Sequence, residues 1–444
     1  MRTAIIGAGI SGLTTAFYLN RARPDRQIDI FDAEPIPGGT MRTDILSGFH
    51  FEAGGNGFLT NKPDSMQLVK DSGAEDLLLP SSDAARKRYI YTDRLHRLPE
   101  APIPFLATRL IGLGAKLRLA GEFFVPKRRE PGEETLQSFG YRRVGKAFTD
   151  VFLDAMTAGI YATTPDKVSV HAAFPLVVRL EQEHGGLFRG MIARRKRQAG
   201  PGGILMSFKG GVGSFIDHLE QTIRADWHLG APVTEVLKED TGFRVRAGDF
   251  EEVFDQVVIS TQAHAAAAML RLLDAGLAQR LDAIEYSPVA VVGLGWKQLD
   301  HPLDGFGLLT TTSARLPILG VLWDSSIFPD RAPEGAKSVR VMIGGQRNPE
   351  LMQQDEAGLI ATAREGVRIT MGVDNAPDVT FVQRWDKGIP SYRVGHIAAV
   401  DALFEQAARY PGLHLGGNAY RGIAMNDCVR NGRELAERLA REPS

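Results

Sequence analysis

The spacing of apolar and polar positions divides this chain into stretches of different character. An apolar run from Thr3 to Ile6 is short enough to be a buried strand, and helical spacing follows from about Ser11 to Asn20. A further strand is expected from Gln27 to Phe31, with Asp32 at its end. Between Pro102 and about Gly202 the pattern turns helical. Ile103, Phe105, Leu106, Leu110, Ile111, Leu113, Leu117 and Leu119 fall among Arg109, Lys116 and Arg118, which makes a basic amphipathic stretch. Lys127-Arg128-Arg129 and Arg194-Arg195-Lys196-Arg197 add short basic runs. Such a stretch suits a face packed internally and solvated outside, and equally a surface that rests on a membrane.

Strand spacing returns near Ile204. A helix is expected from Val212 to Ile223, then strands from Ala231 to Val236, Gly242 to Val245 and Gln256 to Thr261. Further strands, Val289 to Trp296, Leu319 to Trp323 and Ser338 to Ile343, would build a second sheet. The tail repeats strand, glycine turn and helix from Leu413 to Asp427, with a last helix from Asp427 to about Arg441. The pattern predicts an α/β (α+β) protein. A discontinuous Rossmann-like domain would use 1–60, 205–265 and 405–444; a second mixed-sheet domain 61–100 and 266–404; a helical insertion 101–204.

Composition narrows the class. Lys+Arg 52 against Asp+Glu 53 gives a net charge of −1, so no overall field recruits nucleic acid. The single cysteine, Cys428, excludes an internal disulfide and fits a reducing, cytoplasmic compartment. The apolar start is the strand and glycine turn itself, without the basic flank of a signal peptide. No window approaches the ~18 consecutive apolar residues of a membrane span.

The chemistry begins at Gly7-Ala8-Gly9-Ile10-Ser11-Gly12, a G-x-G-x-x-G between the first strand and its helix. Gly7 suits the tight turn, Gly9 lets backbone approach a pyrophosphate, and Gly12 lets helix and strand pack closely. Asp32 stands where a carboxylate accepts hydrogen bonds from a ribose, and an acid there favours FAD or NAD over NADP. Gly38-Gly39 and Arg42 follow, as in flavoproteins related to amine oxidases; Arg42 is either a phosphate partner or a solvated loop arginine. In Phe51-Glu52-Ala53-Gly54-Gly55-Asn56-Gly57-Phe58 the glycines bring backbone against a flavin ring, unless they form a plain flexible loop. The ten histidines show no ligand spacing, so no metal site is expected.

Taken together, the chain resembles the protoporphyrinogen oxidase family over nearly its whole length. The specific matches are Ala158-Gly159-Ile160-Tyr161-Ala162, Ser169-Val170-His171-Ala172-Ala173-Phe174-Pro175, Gly305-Phe306-Gly307, Leu319 to Pro329, Trp385 with Ile389 to His396, and Tyr420 to Cys428. The loop after Glu52 departs from it: the family often has Gly-Pro where this chain has Gly54-Gly55, and Asn56 occupies a position that varies.

The resemblance implies non-covalent FAD, held by Gly7 to Gly12, Asp32, Gly39, Arg42, Gly54 to Gly57, Val233, Trp385, Ile423, Ala424 and Met425. It implies Arg88 for a propionate of the substrate, Leu309 and Phe328 against its pyrrole rings, the Gly159 carbonyl toward ring nitrogens, and Asn56 near the flavin. No catalytic base stands out. The activity implied is oxygen-dependent oxidation of protoporphyrinogen IX to protoporphyrin IX in haem biosynthesis, in three two-electron steps that yield peroxide. Coproporphyrinogen III oxidation is the near alternative; an amine oxidase, a desaturase, a mutase of the same fold and a flavin-binding scaffold are more distant ones. Dioxygen, a ferrochelatase-type pathway partner and peripheral contact of the 101–204 insertion with the cytoplasmic membrane face complete what the resemblance implies.

Overall fold

The computed structural model describes residues 1–197 and 203–442, without the side chains of 102 and 195–197. The end of the insertion, 198–202, and most side chains of the basic run at 194–197 therefore lie outside what is described. Helices and strands are both abundant, in several sheets.

The first sheet has five parallel strands in the order Asp226–His228, Gln27–Phe31, Arg2–Ile6, Gln256–Ile259 and Leu413–Leu415. Its pieces come from distant parts of the chain. Alternation along the central strand assigns its faces: Ile5 joins a core with the Ile10–Ala22 and Met425–Arg441 helices, while Ala4 and Ile6 join a core on the opposite side. That second face carries a three-stranded meander, Glu235–Lys238, Phe243–Ala247 and Phe250–Phe254. The two long helices close up because Gly432 has no side chain; a Cβ there would stand 2.8 Å from the Ser11 carbonyl oxygen.

The second sheet has seven strands, ordered Val379–Pro390, Tyr286–Trp296, Lys337–Gly344, Ile318–Leu322, Gly307–Thr310, Arg88–Tyr91 and Leu95–Arg97. All neighbours are antiparallel except Gly307–Thr310 with Arg88–Tyr91, which run parallel. The 43–52 hairpin joins the two halves. The rings of Phe49 and Phe51 lie over Gly295 and Gly293, where a Cβ would come within 2.9 and 2.4 Å of ring carbons, and Phe381 stacks on Phe51 with centroids 5.6 Å apart.

Several boundaries move from those expected. The strand expected at 231–236 is Glu235–Lys238, so Val233 lies in the loop before it. The Asp64–Ser72 helix contributes Leu68 and Val69 to the first sheet's core, and the helices Ala263–Leu270, Ala275–Asp282 and His396–Ala407 pack on that sheet's other face. Those segments had been expected with the second sheet.

The insertion is helical, from Pro102–Ala107 to Leu187–Arg197. Its middle is held by an ion pair between Arg143 and Glu122, both fully buried; Glu122 also accepts from the Leu187 and Phe188 N–H groups that open the last helix. The Asp154–Tyr161 helix lies on the second sheet, where Ala158 and Ala162 meet Val289, Val291 and Leu319. The outer helices leave Ile103 and Phe124 each 81% exposed, with Leu106, Leu113 and Leu117 also outside. Among the described residues no helix is long and apolar enough to cross a membrane.

Candidate functional site

The glycines after the first strand do different things. Gly7 has φ +106, and a Cβ on it would lie 2.9 Å from the Ser260 carbonyl carbon; one on Gly12 would overlap the Gly7 oxygen at 2.0 Å. Gly9 has nothing within 4 Å of that position, so its backbone faces open space. It also stands at the N-terminus of the Ile10–Ala22 helix, which no side chain caps, leaving N–H groups and the positive dipole end for an anion.

Asp32 is held by backbone: Oδ2 accepts from Ala8 N–H at 2.7 Å and Oδ1 from Glu34 N–H at 2.9 Å. Burial pushes its carboxyl above the ordinary range, and these hydrogen bonds oppose that shift. Ala8 thus acts on the carboxylate rather than on the cleft wall. The Asp32 and Glu34 carbonyls accept from Ala231 and Gly230, and this ties the loop bearing Val233 alongside.

These groups line a cleft of about 760 Å³, within the range of small-molecule and cofactor sites. Gly9, Ile10, Ser11, Asp32, Gly39, Gly55, Gly57, Val233, Trp385, Ile423, Ala424 and Met425 all reach it. Thr40, Pro232 and His264 line it too and had no motif to announce them. The uncapped N-terminus of the Met425–Arg441 helix also opens on the cleft. Cys428 stands one turn into that helix, its thiol pushed up to about 11 by burial.

Five expected contacts fall outside the cleft lining: Ala8, Gly12, Arg42, Gly54 and Asn56. Arg42 turns aside to Asp44, at 3.0 Å, and to Gln383. Gly54 packs where a Cβ would meet the Thr40 oxygen at 2.4 Å. Asn56 has both side-chain amide atoms buried without a hydrogen-bond partner, a donor and an acceptor in want of a ligand. The 52–54 backbone is held from the second sheet: Trp385 Nε1 donates to the Ala53 oxygen at 2.8 Å, and Arg340 Nη1 to the Glu52 and Gly54 oxygens at 2.6 and 3.0 Å.

Strand register relates this cleft to the substrate candidates. Trp385 lies opposite Val289, Val291 opposite Met342, Met342 opposite Gly320, Gly320 opposite Leu309, and Gly307 opposite Arg88. Paired residues share a face and alternate ones along a strand do too, so Trp385, Leu309 and Arg88 lie on one side of the sheet. Gly159, on the helix above, is where a Cβ would meet Leu309 Cδ2 at 2.8 Å. Two residues on, at the end of the same helix, Tyr161 packs with Tyr392 and Ile423, and Ile423 lines the cofactor cleft. Arg88 is exposed, with its guanidinium 5.2 Å from the Phe306 ring and no carboxylate partner among the described residues. Phe328 is placed differently: at 1% exposure it is packed with Ala85 and Ile327 beneath the Arg331 guanidinium, so its ring faces no slot.

A glycine-turned helix end, an acid at the end of the second strand and a second helix end on one cleft are the arrangement of a dinucleotide-binding flavoprotein. The chain belongs to the flavin containing amine oxidoreductase family, whose profile it matches over residues 10–440; it is an oxidoreductase and its cofactor is FAD. Among its relatives is the coproporphyrinogen III oxidase of Bacillus subtilis (strain 168), 28% identical with 97% of this chain and 96% of that one covered. Another is protoporphyrinogen oxidase of Homo sapiens, 29% identical over 97% of each chain. A crystal structure from Exiguobacterium sp. 255-15, of a protein named only provisionally as a protoporphyrinogen oxidase, superposes with a TM-score of 0.88 at 26% identity, covering 99% of this chain and 98% of that one.

Because the space at Gly9 is open, Gly9→Val is expected to fold with an unchanged melting temperature yet bind FAD about tenfold or more weakly, a cost of about 1.4 kcal/mol. Titration of the apo-protein with FAD, followed by calorimetry, checks this; an unchanged affinity would place the pyrophosphate elsewhere.

Proposed function

We propose that this chain oxidises a porphyrinogen to the porphyrin, with protoporphyrinogen IX as the substrate and FAD held non-covalently in the cleft. The observation that carries the reading is the single sheet face running from Trp385 at the cofactor cleft, past Leu309 and Gly159, to the unpaired guanidinium of Arg88. An apolar floor ending in one free cation suits a macrocycle that is apolar except for its carboxylates. Relatives named for protoporphyrinogen oxidation and for coproporphyrinogen III oxidation both align over nearly the full chain, so coproporphyrinogen III is the second substrate reading.

FAD supplies the two-electron acceptor, and dioxygen restores it with release of peroxide. The protein's part is placement. Arg88 takes a propionate in a bidentate fork, and Leu309 bears on a ring face. The Gly159 backbone, exposed beside Leu309, offers its carbonyl to ring N–H groups. The 154–161 helix, fixed at its start by Asp154 accepting from Thr312 N at 2.6 Å, excludes water from the same face. Three successive two-electron oxidations complete the aromatic ring, so the slot must let the macrocycle present each bridge in turn. The high-lying thiol of Cys428 accords with a flavin that is not covalently attached.

For location, we propose peripheral contact with the cytoplasmic membrane face through the 102–124 helices. Their outward Ile103, Leu106, Leu113, Leu117 and Phe124 stand among Arg109, Lys116 and Arg118.

The decisive assay is aerobic incubation with each porphyrinogen while porphyrin fluorescence and peroxide are followed. Rise of both with protoporphyrinogen IX is expected; a yellow protein that yields neither with either substrate would sink the proposal. Arg88→Ala is expected to raise KM for the porphyrinogen about tenfold or more, the loss of one charged hydrogen-bonding partner, and an unchanged KM would remove Arg88 from the substrate site. Co-sedimentation with anionic vesicles should occur and be lost in Ile103→Ser/Phe124→Ser; absence of binding by the parent protein would end the membrane reading.

A further inference from the structure

Arg340 sits in the Lys337–Gly344 strand, where a wholly apolar side chain would be expected, and it is fully buried. Its fork is divided between two duties. Nε and Nη2 meet the two oxygens of Asp324, at 2.5 and 3.0 Å, a bidentate pair with both partners out of water. Nη1 donates to the carbonyl oxygens of Glu52 and Gly54, 288 and 286 residues away in sequence. With Trp385 Nε1 on the Ala53 oxygen, successive carbonyls of this segment are held by side chains of the second sheet. The residue that follows, Gly55, is left open on the cleft side: nothing lies within 4 Å of where its Cβ would be.

We propose that Arg340 is a positioning residue that fixes the 53–57 loop of the flavin site relative to the floor of the substrate slot. This rests on the assignment of the cleft to the flavin. The register supplies the link between the two: Arg340 and Met342 alternate on one strand and so share a face, and Met342 lies opposite Gly320, which lies opposite Leu309. The strand that carries the slot floor therefore also sets the height and tilt of the flavin's platform. Because Asp324 neutralises the guanidinium, the effect is geometric and not a field on the flavin. Lysine cannot replace it, since a single ammonium cannot hold a carboxylate bidentately and two carbonyls besides.

The test uses the FAD-loaded enzyme with Arg340→Lys, and with Arg340→Leu/Asp324→Leu, which exchanges the buried pair for apolar volume. Both are expected to retain FAD, with a shifted visible flavin band and a changed midpoint potential. The turnover number should be about tenfold or more lower with KM within about twofold of the parent, as for a misplaced reacting pair. Either loaded variant with the parent's spectrum, potential and turnover would overturn the proposal. So would a lysine variant that fails to fold beside a double-leucine variant that folds and behaves as the parent, since the pair would then be purely structural. Spectrum and potential need no porphyrinogen, so a wrong substrate assignment leaves this test intact.

Discussion

The rings of Phe49 and Phe51 rest on Gly295 and Gly293 so closely that no other residue type fits beneath them without displacing a ring. This contact is the constraint from which the site follows. The 43–52 hairpin leads directly into the 53–57 loop, and the strand beneath it, Tyr286–Trp296, lies second from the edge of the second sheet between two long partners. A hairpin lifted by one side chain would carry the loop away from Trp385 and Arg340, which hold its carbonyls. Interiors packed this closely have no slack in which to absorb such a shift.

Around the junction the protein buries charges, each with its counterpart. Glu52 meets Arg331 at 3.0 Å, and its carboxylate also accepts from the Val212 N–H at the start of the 212–222 helix, so it joins the hairpin to a further wall of the cleft. Burial drives the Glu52 carboxyl upward while Arg331 and Arg340 pull it down. Buried pairs of this kind add little net stability over apolar replacements, but removal of one partner costs about 3–5 kcal/mol. Their value here is directional: an ion pair with fixed hydrogen-bond geometry holds a backbone in one place, where leucines would let it slide.

Local chemistry made the nucleotide half legible. G-x-G-x-x-G, the strand after it and Asp32 lie within some thirty residues, so their strand, turn, helix and strand are legible without tertiary information. Long-range packing was not legible. The apolar face of Leu68 and Val69 announces a buried helix but not which sheet buries it, and the same holds for the 396–407 helix. Pro232 in an apolar run looked like strand, yet hydrogen bonds from Gly230 and Ala231 to the Asp32 segment make it a loop. Arg42 was diverted by Gln383, 341 residues on. The one overlooked signal lay in Ser338-Val339-Arg340-Val341-Met342, where a cation interrupts an apolar strand and so demands a buried partner.

The diversion of Arg42 has an electrostatic reason. Two helices, Ile10–Ala22 and Met425–Arg441, open their uncapped N-termini on the same cleft. Each such end carries roughly half a positive charge, worth about 0.3–1 kcal/mol to a nearby anion at an exposed site and more when water is excluded. On the proposed reading, a pyrophosphate and a flavin that gains negative charge on reduction would both meet backbone dipoles that need no reorganisation. The cradle can therefore bind its anions without a dedicated arginine, and Arg42 is free to tie the hairpin to the second sheet. Arg88, at the opposite end of the sheet face, has no carboxylate partner among the described residues, which on the proposed reading leaves it for an incoming substrate.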